Sequence, residues 1–228
     1  MRTQTFMDIG NPFRPIGLRK IAADAPRFLY HAPVIRIISG EYRSRTLEAP
    51  EGTDLTRPML ARVKESLFGI LRGWFDGTRV LDLFAGVGTM GRGAAEVVCV
   101  ERDREVFRCL ERNIARLGCG DRVKAIQGDA LAAATLASAP RPVDVVFLDP
   151  PYELMEDPPR RRKVLEQAAR CREVMAEKSF LVLRTPIDLP EDERTLAGLD
   201  GPEVHSYGNT MFVYLYMPSR PRPETPTP

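Results

Sequence analysis

Histidine is scarce in this chain, limited to His31 and His205, and the four cysteines, Cys99, Cys109, Cys119 and Cys171, are never spaced as C-x-x-C. A zinc site needs a close array of such ligands, so no metal centre is expected. Scattered, unpaired cysteines also argue against a disulfide framework and for a reduced, cytoplasmic setting. No apolar run is long enough to cross a bilayer, so no membrane partner is expected. The N-terminus lacks the apolar centre of a secretory signal. No internal repeat is visible. One-sided charge is missing too: 33 Lys and Arg against 31 Asp and Glu leave a net charge of +2. Whole-molecule charge therefore does not announce a nucleic-acid partner, although short basic runs exist.

What is present is a chain of 228 residues, 43% hydrophobic, enough for one α/β core with additional segments. Residues 1–33 are interrupted at Asn11-Pro12, Arg14-Pro15 and Ala25-Pro26 and read as a poorly ordered extension. Residues 219–228 carry four prolines and no large apolar side chain, the pattern of a disordered tail. Between them, 34–38 reads as a strand and 40–47 as a small β-hairpin. Thr56 is placed to cap a helix reaching Phe75, with Met59, Val63, Leu67, Ile70, Leu71 and Trp74 at helical spacing. The expected segments are therefore 1–33, 34–75, 76–218 and 219–228.

From Arg79 the pattern alternates. Strands are expected at 79–84, 96–101, 122–127, 143–149 and 179–184, with helices at 103–117, 129–137 and 157–177. Alternating β and α elements with short links imply a parallel sheet covered on both faces. Residues 203–207 and 210–217 read as two further strands around Gly208-Asn209, an antiparallel hairpin closing a seven-stranded sheet.

The first chemical signal is Val80-Leu-Asp-Leu-Phe-Ala-Gly-Val-Gly-Thr-Met-Gly91, a strand running into a glycine turn. Gly86 and Gly88 let a ligand approach the main chain. Small residues at such a turn can also serve tight strand–helix packing alone. Two cofactor classes fit. Gly86-x-Gly88-x-x-Gly91 matches the dinucleotide fingerprint, and Glu101 lies near where a ribose-binding acid belongs. Asp82, however, would face a cationic group rather than a pyrophosphate. Glu101 is otherwise a solvated strand-end charge, and Asp129 is otherwise a helix cap.

The second signal is Asp149-Pro150-Pro151-Tyr152, after the apolar run Val145–Leu148. An acid at the carboxyl end of a buried strand stands where open α/β sheets place their sites. The two prolines fix φ and remove two backbone donors. The turn then presents acceptors, the Asp149 carboxylate and the Pro150 carbonyl, beside the flat face of Tyr152. Such a corner can hold the hydrogens of an exocyclic amine and stack its ring.

Together the two motifs resemble those of the amino-methyltransferases of nucleic acids. Arg36-Ile-Ile-Ser-Gly-Glu-Tyr-Arg-Ser-Arg-Thr-Leu47 and Thr56-Arg-Pro-Met-Leu-Ala-Arg-Val-Lys-Glu-Ser-Leu-Phe68 narrow the resemblance. It is to the bacterial family that methylates the N2 amine of a guanine in 16S ribosomal RNA. The resemblance implies a Rossmann-like class I methyltransferase fold and S-adenosylmethionine as cofactor. It implies a cofactor site of Asp82, Phe84, Ala85, Gly86, Gly88, Glu101, Arg102, Asp129 and Ala130. Asp149, Pro150, Pro151 and Tyr152 would form the catalytic corner. Arg43, Arg45, Arg57 and Arg62 would contact RNA phosphates, with Arg160-Arg161-Arg162-Lys163 either assisting or lying on a solvated helix face. The partner would be 16S ribosomal RNA or an assembling small subunit, and the protein a monomer. A DNA adenine-N6 methyltransferase, a nicotinamide-dependent oxidoreductase and a non-catalytic RNA-binding protein are the other readings.

One departure from the family pattern stands out. Gly91 runs directly into Arg92-Gly-Ala-Ala95 and the second strand, leaving almost no first crossover helix. Such a unit normally needs about 10–12 residues including the helix. A strained or mostly extended return is expected, with apolar cover lost from one sheet face. Inserting about five helix-forming residues after Gly91 is expected to raise Tm or cofactor affinity. An unchanged melting curve and unchanged calorimetric affinity would refute the expectation.

Overall fold

Alternation of buried apolar strands with amphipathic helices builds a seven-stranded sheet from Arg79 onward. The structure, a computed structural model, describes residues 35–37, 42, 44–50, 69, 77–89 and 94–219. Strands β1 (Ile35–Arg36) and β2 (Thr46–Leu47) pair antiparallel. The sheet comprises β3 (Arg79–Asp82), β4 (Glu96–Glu101), β5 (Val123–Gln127), β6 (Val143–Leu148), β7 (Met175–Thr185), β8 (Leu199–Ser206) and β9 (Phe212–Pro218). Their spatial order is β5-β4-β3-β6-β7-β9-β8. The first five are parallel, and β9 pairs antiparallel with both β7 and β8. The chain leaves β3 toward β4 and β5, then returns to place β6 on the other side of β3. That reversal makes a crevice at the carboxyl ends of β3 and β6.

Successive residues of a strand face opposite sides. Leu81, Leu83, Val146, Leu148, Leu181 and Leu183 enter one apolar core. Val80, Val97, Cys99, Val145, Phe147 and Val182 enter the other, together with Leu110 of helix α1 (Arg104–Leu117). A right-handed crossover from β3 to β4 belongs on this α1 face. The cover expected to be missing there is not missing: Val80 and Val145 are 0% exposed, Val97 1% and Phe147 2%. Phe84 to Thr89 form turns and Ala94 leads into β4; residues 90–93 lie outside the described residues.

Several expected boundaries move. The strand at 79–84 stops at Asp82, because Leu83 and Phe84 turn into the glycine loop. The strand at 179–184 begins earlier, at Met175, so the expected helix 157–177 overran it. A short helix that was not expected, α2 (Tyr152–Glu156), precedes it, and the expected helix is α3 (Pro158–Arg170), capped by Asp157, whose side chain accepts from Arg160 N. Prolines at the first two positions of α3 cannot continue a preceding helix, which is why the break between α2 and α3 falls there. The helix expected at 129–137 is a 3-10 helix, Ala133–Ser138. The C-terminal hairpin is closed by a loop over 207–211, not by two residues, with Tyr207 N donating to Met211 O at 2.8 Å. Of the hairpin expected at 40–47, residues 40, 41 and 43 lie outside the described residues, and Thr46–Leu47 pairs with β1. Of the helix expected to end at Phe75, only Gly69 is described, and it is helical.

The N-terminal ribbon docks on α1. Ile35, Ile37 and Leu47 pack against Val87, Val106 and Cys109. Buried Asn113 fastens the contact: its Nδ2 donates to Glu48 O at 3.0 Å and Val87 O at 3.1 Å, and its Oδ1 accepts from Glu48 N at 2.8 Å. Arg112 Nε donates to Glu48 Oε2 at 2.7 Å and Arg116 Nη1 to Oε1 at 3.0 Å. The Arg112 hydrogen bond leads in holding the Glu48 carboxyl below its ordinary range. Asn113 thus joins ribbon, helix and glycine loop. Asn113→Ala strands polar groups on all three and is expected to cost about 2–4 kcal/mol in chemical denaturation. A loss below about 0.5 kcal/mol would show that the network is solvated rather than structural.

Candidate functional site

Three acids stand at successive strand ends on one half of the sheet. Asp82 ends β3, Glu101 ends β4 and Asp129 lies two residues beyond β5. Parallel neighbours lie about 4.8 Å apart, so the row spans about 10 Å across the sheet edge. Asp82 is 1% exposed and shares its face with Cys99, its register partner on β4. Burial, and next the Asp82 carboxylate, push the Cys99 thiol well above its ordinary range, so Cys99 stays neutral and inert.

Glu101 shapes the glycine loop. Its Oε2 accepts from Gly86 N at 3.0 Å and its Oε1 from Asp103 N at 2.7 Å. An ionised carboxylate has about four acceptor positions, so two remain for a diol. Gly88 N donates to Ala85 O at 3.0 Å. The Gly86 and Gly88 amides are therefore turned inward, not offered to a pyrophosphate, which is what the dinucleotide reading requires. Gly86, at φ +56°, has open space where a side chain would stand. Gly88, at φ +88°, has none: a Cβ would meet Leu110 Cδ1 at 2.7 Å. Only glycine fits both the conformation and the contact there.

Asp103 caps α1 by accepting from Glu105 N and Val106 N at 2.8 and 3.0 Å. Asp129 Oδ1 accepts from Leu131 N at 2.9 Å, a turn rather than an α-helix cap. Phe84 is half-buried, Ala85 and Ala130 are buried, and Arg102 is exposed. A row of acceptors beside an accessible glycine fits an elongated ligand with a cationic end, hydroxyls and an amino-bearing base, as S-adenosylmethionine has.

The second half of the site follows from register. Asp82 lies level with Phe147 of β6, and Phe147 level with Val182 of β7. Two residues further on, Asp149 and Arg184 come level and face the same side as Asp82. Arg184 Nε donates to Asp149 Oδ1, and its guanidinium lies 5.5 Å from the centre of the Tyr152 ring. Pro150 is buried, and Pro151 leads directly into α2, so Tyr152 is the first residue of a helix rather than part of a loop. The corner of Asp149, Pro150, Pro151 and Tyr152 thus stands one strand from Asp82.

A protein-family model described as "Conserved hypothetical protein 95" matches residues 35–216. The chain belongs to this family. It is 33% identical over 185 residues to "Putative rRNA methyltransferase YlbH" of Bacillus subtilis, covering 77% of this chain and 95% of that protein. It is 36% identical over 138 residues to "Ribosomal RNA small subunit methyltransferase D" of Escherichia coli, covering 58% of this chain and 64% of that one. The solved structure of "Putative methyltransferase yhhF from Escherichia coli" superposes with a TM-score of 0.65 at 30% identity, over 81% of this chain and 97% of that one. The fold is that of the class I methyltransferases.

Within this family member, two buried polar residues with no expected role turn out to shape the site. Gln167 of α3 donates from Nε2 to Ala130 O at 2.8 Å, tying the loop after β5 to the helix behind it. Arg184 is the other. Its signal was a cation closing the apolar run Phe180–Leu183, where an unpaired charge would be expensive.

The basic run 160–163 divides. Arg161 is buried, bonded to Glu193 through Nε at 2.5 Å and Nη2 at 3.1 Å and donating from Nη1 to Met155 O at 2.8 Å. It pins α2 and α3 and is not available to a ligand. Arg160, Arg162 and Lys163 are exposed. Arg45 is exposed as well, whereas Arg43, Arg57 and Arg62 lie outside the described residues. Among the described residues no cluster of metal-ligating side chains occurs, and no helix is long and apolar enough to cross a membrane.

Proposed function

We propose that this protein transfers a methyl group from S-adenosylmethionine to the exocyclic N2 amine of a guanine in 16S ribosomal RNA, free or in an assembling small subunit. The observation that carries the reading is the adjacency of Asp82 and the Asp149–Tyr152 corner at neighbouring ends of β3 and β6. Asp82 would hold the ammonium of such a ligand, one strand from the corner that would hold the amine. The rRNA target is supported by the names of the relatives and by the family resemblance of the motifs.

The bound cofactor supplies a methyl group on an electrophilic sulfonium. Asp82 would hold its ammonium, Glu101 its ribose hydroxyls, and Asp129 with Ala130 its base. Phe84, Ala85, Gly86, Gly88 and Arg102 would flank the rest of it. An aromatic amine is a poor nucleophile because its lone pair is delocalised into the ring. The Asp149 carboxylate and the Pro150 carbonyl accept the two amine hydrogens and turn the lone pair toward the donor. Tyr152 stacks on the extruded base and keeps its plane. Asp149 also stands where the proton released on methylation is accepted.

Residues 34–75 are the segment proposed to face RNA, with Arg43, Arg45, Arg57 and Arg62 as its candidate phosphate contacts. Helix α1 offers a further row of cations. Arg104, Arg108, Arg112 and Arg116 recur at every fourth position and all four are exposed. Like charges at this spacing repel, and Arg104 also opposes the dipole at the helix N-terminus. Arg112 and Arg116 share Glu48, while no ion pair among the described residues takes Arg104 or Arg108. A polyanion relieves that repulsion.

In a methyl-transfer assay, Asp149→Ala is expected to lower turnover by about a hundredfold or more with cofactor affinity nearly intact. Glu101→Ala is expected to weaken cofactor binding about tenfold to a hundredfold while sparing the chemical step at saturation. Equal loss of both properties in both variants would refute the division. Mass spectrometry of the product identifies the base: N2-methylguanosine supports the proposal, and N6-methyladenine overturns it. Replacing Arg104 and Arg108 by Glu is expected to flatten the slope of log affinity for 16S RNA against log salt by about 1.4–1.8. An unchanged slope removes α1 from the interface.

A further inference from the structure

We infer that Arg184 is a positioning residue of the methyl-transfer site, locking the Asp149 carboxylate and the Tyr152 ring into one orientation from behind. The inference rests on the function proposed above and extends it to a residue outside both sequence motifs.

Three observations carry it. First, β6 and β7 run parallel with Phe147 level with Val182, so Arg184 comes level with Asp149 on the same face. Second, one guanidinium reaches both elements of the corner: Nε donates to Asp149 Oδ1, and the plane lies 5.5 Å from the Tyr152 ring centre. Third, the Arg184 side chain is 7% exposed and that of Asp149 is 23% exposed. The cation is the deeper partner, so it backs the corner instead of filling it. One carboxylate oxygen and one ring face are held from the protein side, which fixes the orientation of both groups.

The physical need is clear. A carboxylate at a strand end rotates about χ2, and a tyrosine on the first turn of a five-residue helix is weakly fixed by that helix alone. Gripping an amine needs both to keep their relation while the base enters, and small misplacements in such a site cost rate rather than affinity. Arginine suits the task because its planar fork can donate in one direction and stack in another. Lysine keeps the charge but has no plane.

Arg184→Lys is therefore the deciding variant, with Arg184→Met as its charge-free companion. Turnover is read with S-adenosylmethionine and a 16S ribosomal RNA transcript, cofactor affinity by calorimetry, and folding by thermal denaturation. Arg184→Lys is expected to fold, to bind the cofactor within about twofold of the parent, and to lose about tenfold to a hundredfold in kcat with little change in RNA KM. Arg184→Met is expected to lose at least as much. In combination with Tyr152→Ala, the Arg184→Lys effect is expected to shrink, because the ring it orients is gone. A lysine variant with parental kcat overturns the inference, as does one whose loss lies wholly in KM or cofactor affinity. Full additivity with Tyr152→Ala overturns it too. If the parent methylates RNA and Asp149→Ala does not, these outcomes sink the role of Arg184 and leave the proposed function standing. A parent inactive on RNA sinks both.

Discussion

Parallel pairing of β3 with β6 is the constraint from which the site follows. The two strands are far apart in sequence and become neighbours only because the chain builds outward through β4 and β5 and then restarts on the other side of β3. At that restart the connections diverge, and the carboxyl ends are left open. Asp82 and Asp149 occupy those two ends. Neither is informative alone, since an acid closing a strand is often a cap or a solvated charge. Placed one strand apart, they would mark, under the proposed function, the donor end and the acceptor end of one cleft.

Partners rather than burial distinguish the two buried arginines. Arg161 and Arg184 are equally buried, at 6% exposure, and both answer a carboxylate. Arg161 spends its donors on Glu193 and a helix carbonyl, which holds α2 against α3 and keeps the chain after Tyr152 in place. Arg184 reaches Asp149 and Tyr152, the two residues proposed to touch the substrate. The contributions are sequential. One fixes the backbone beyond the corner, and the other fixes the side chains within it.

The glycine loop is held from two sides. Glu101 takes the Gly86 amide from the sheet, and Asn113 takes the Val87 carbonyl from α1. Since Asn113 also binds both backbone groups of Glu48, the loop and the N-terminal ribbon share a single buried side chain. Under the proposed function, the segment facing RNA and the segment facing the cofactor are mechanically connected. Both loop amides described, those of Gly86 and Gly88, are turned inward and are not offered to a pyrophosphate.

The sequence by itself determined the element types, the alternation that makes a mostly parallel sheet, and both chemical motifs. These are local properties: apolar runs such as Val145–Leu148, glycine and proline turns, and acids just past strand ends can all be read within a dozen residues. Where local signals misled, a neighbouring rule intervened. The helix expected to reach 177 ends at Arg170 because β7 already opens at Met175, and Arg161 sank into the core from a run of four cations. Only the tertiary structure decided that Arg184 stands behind Asp149 and that Asn113 binds ribbon to loop. Those relations join residues separated by 35 and 65 positions. They depend on strand register and helix docking, which no stretch of sequence states because they are set when distant surfaces pack together.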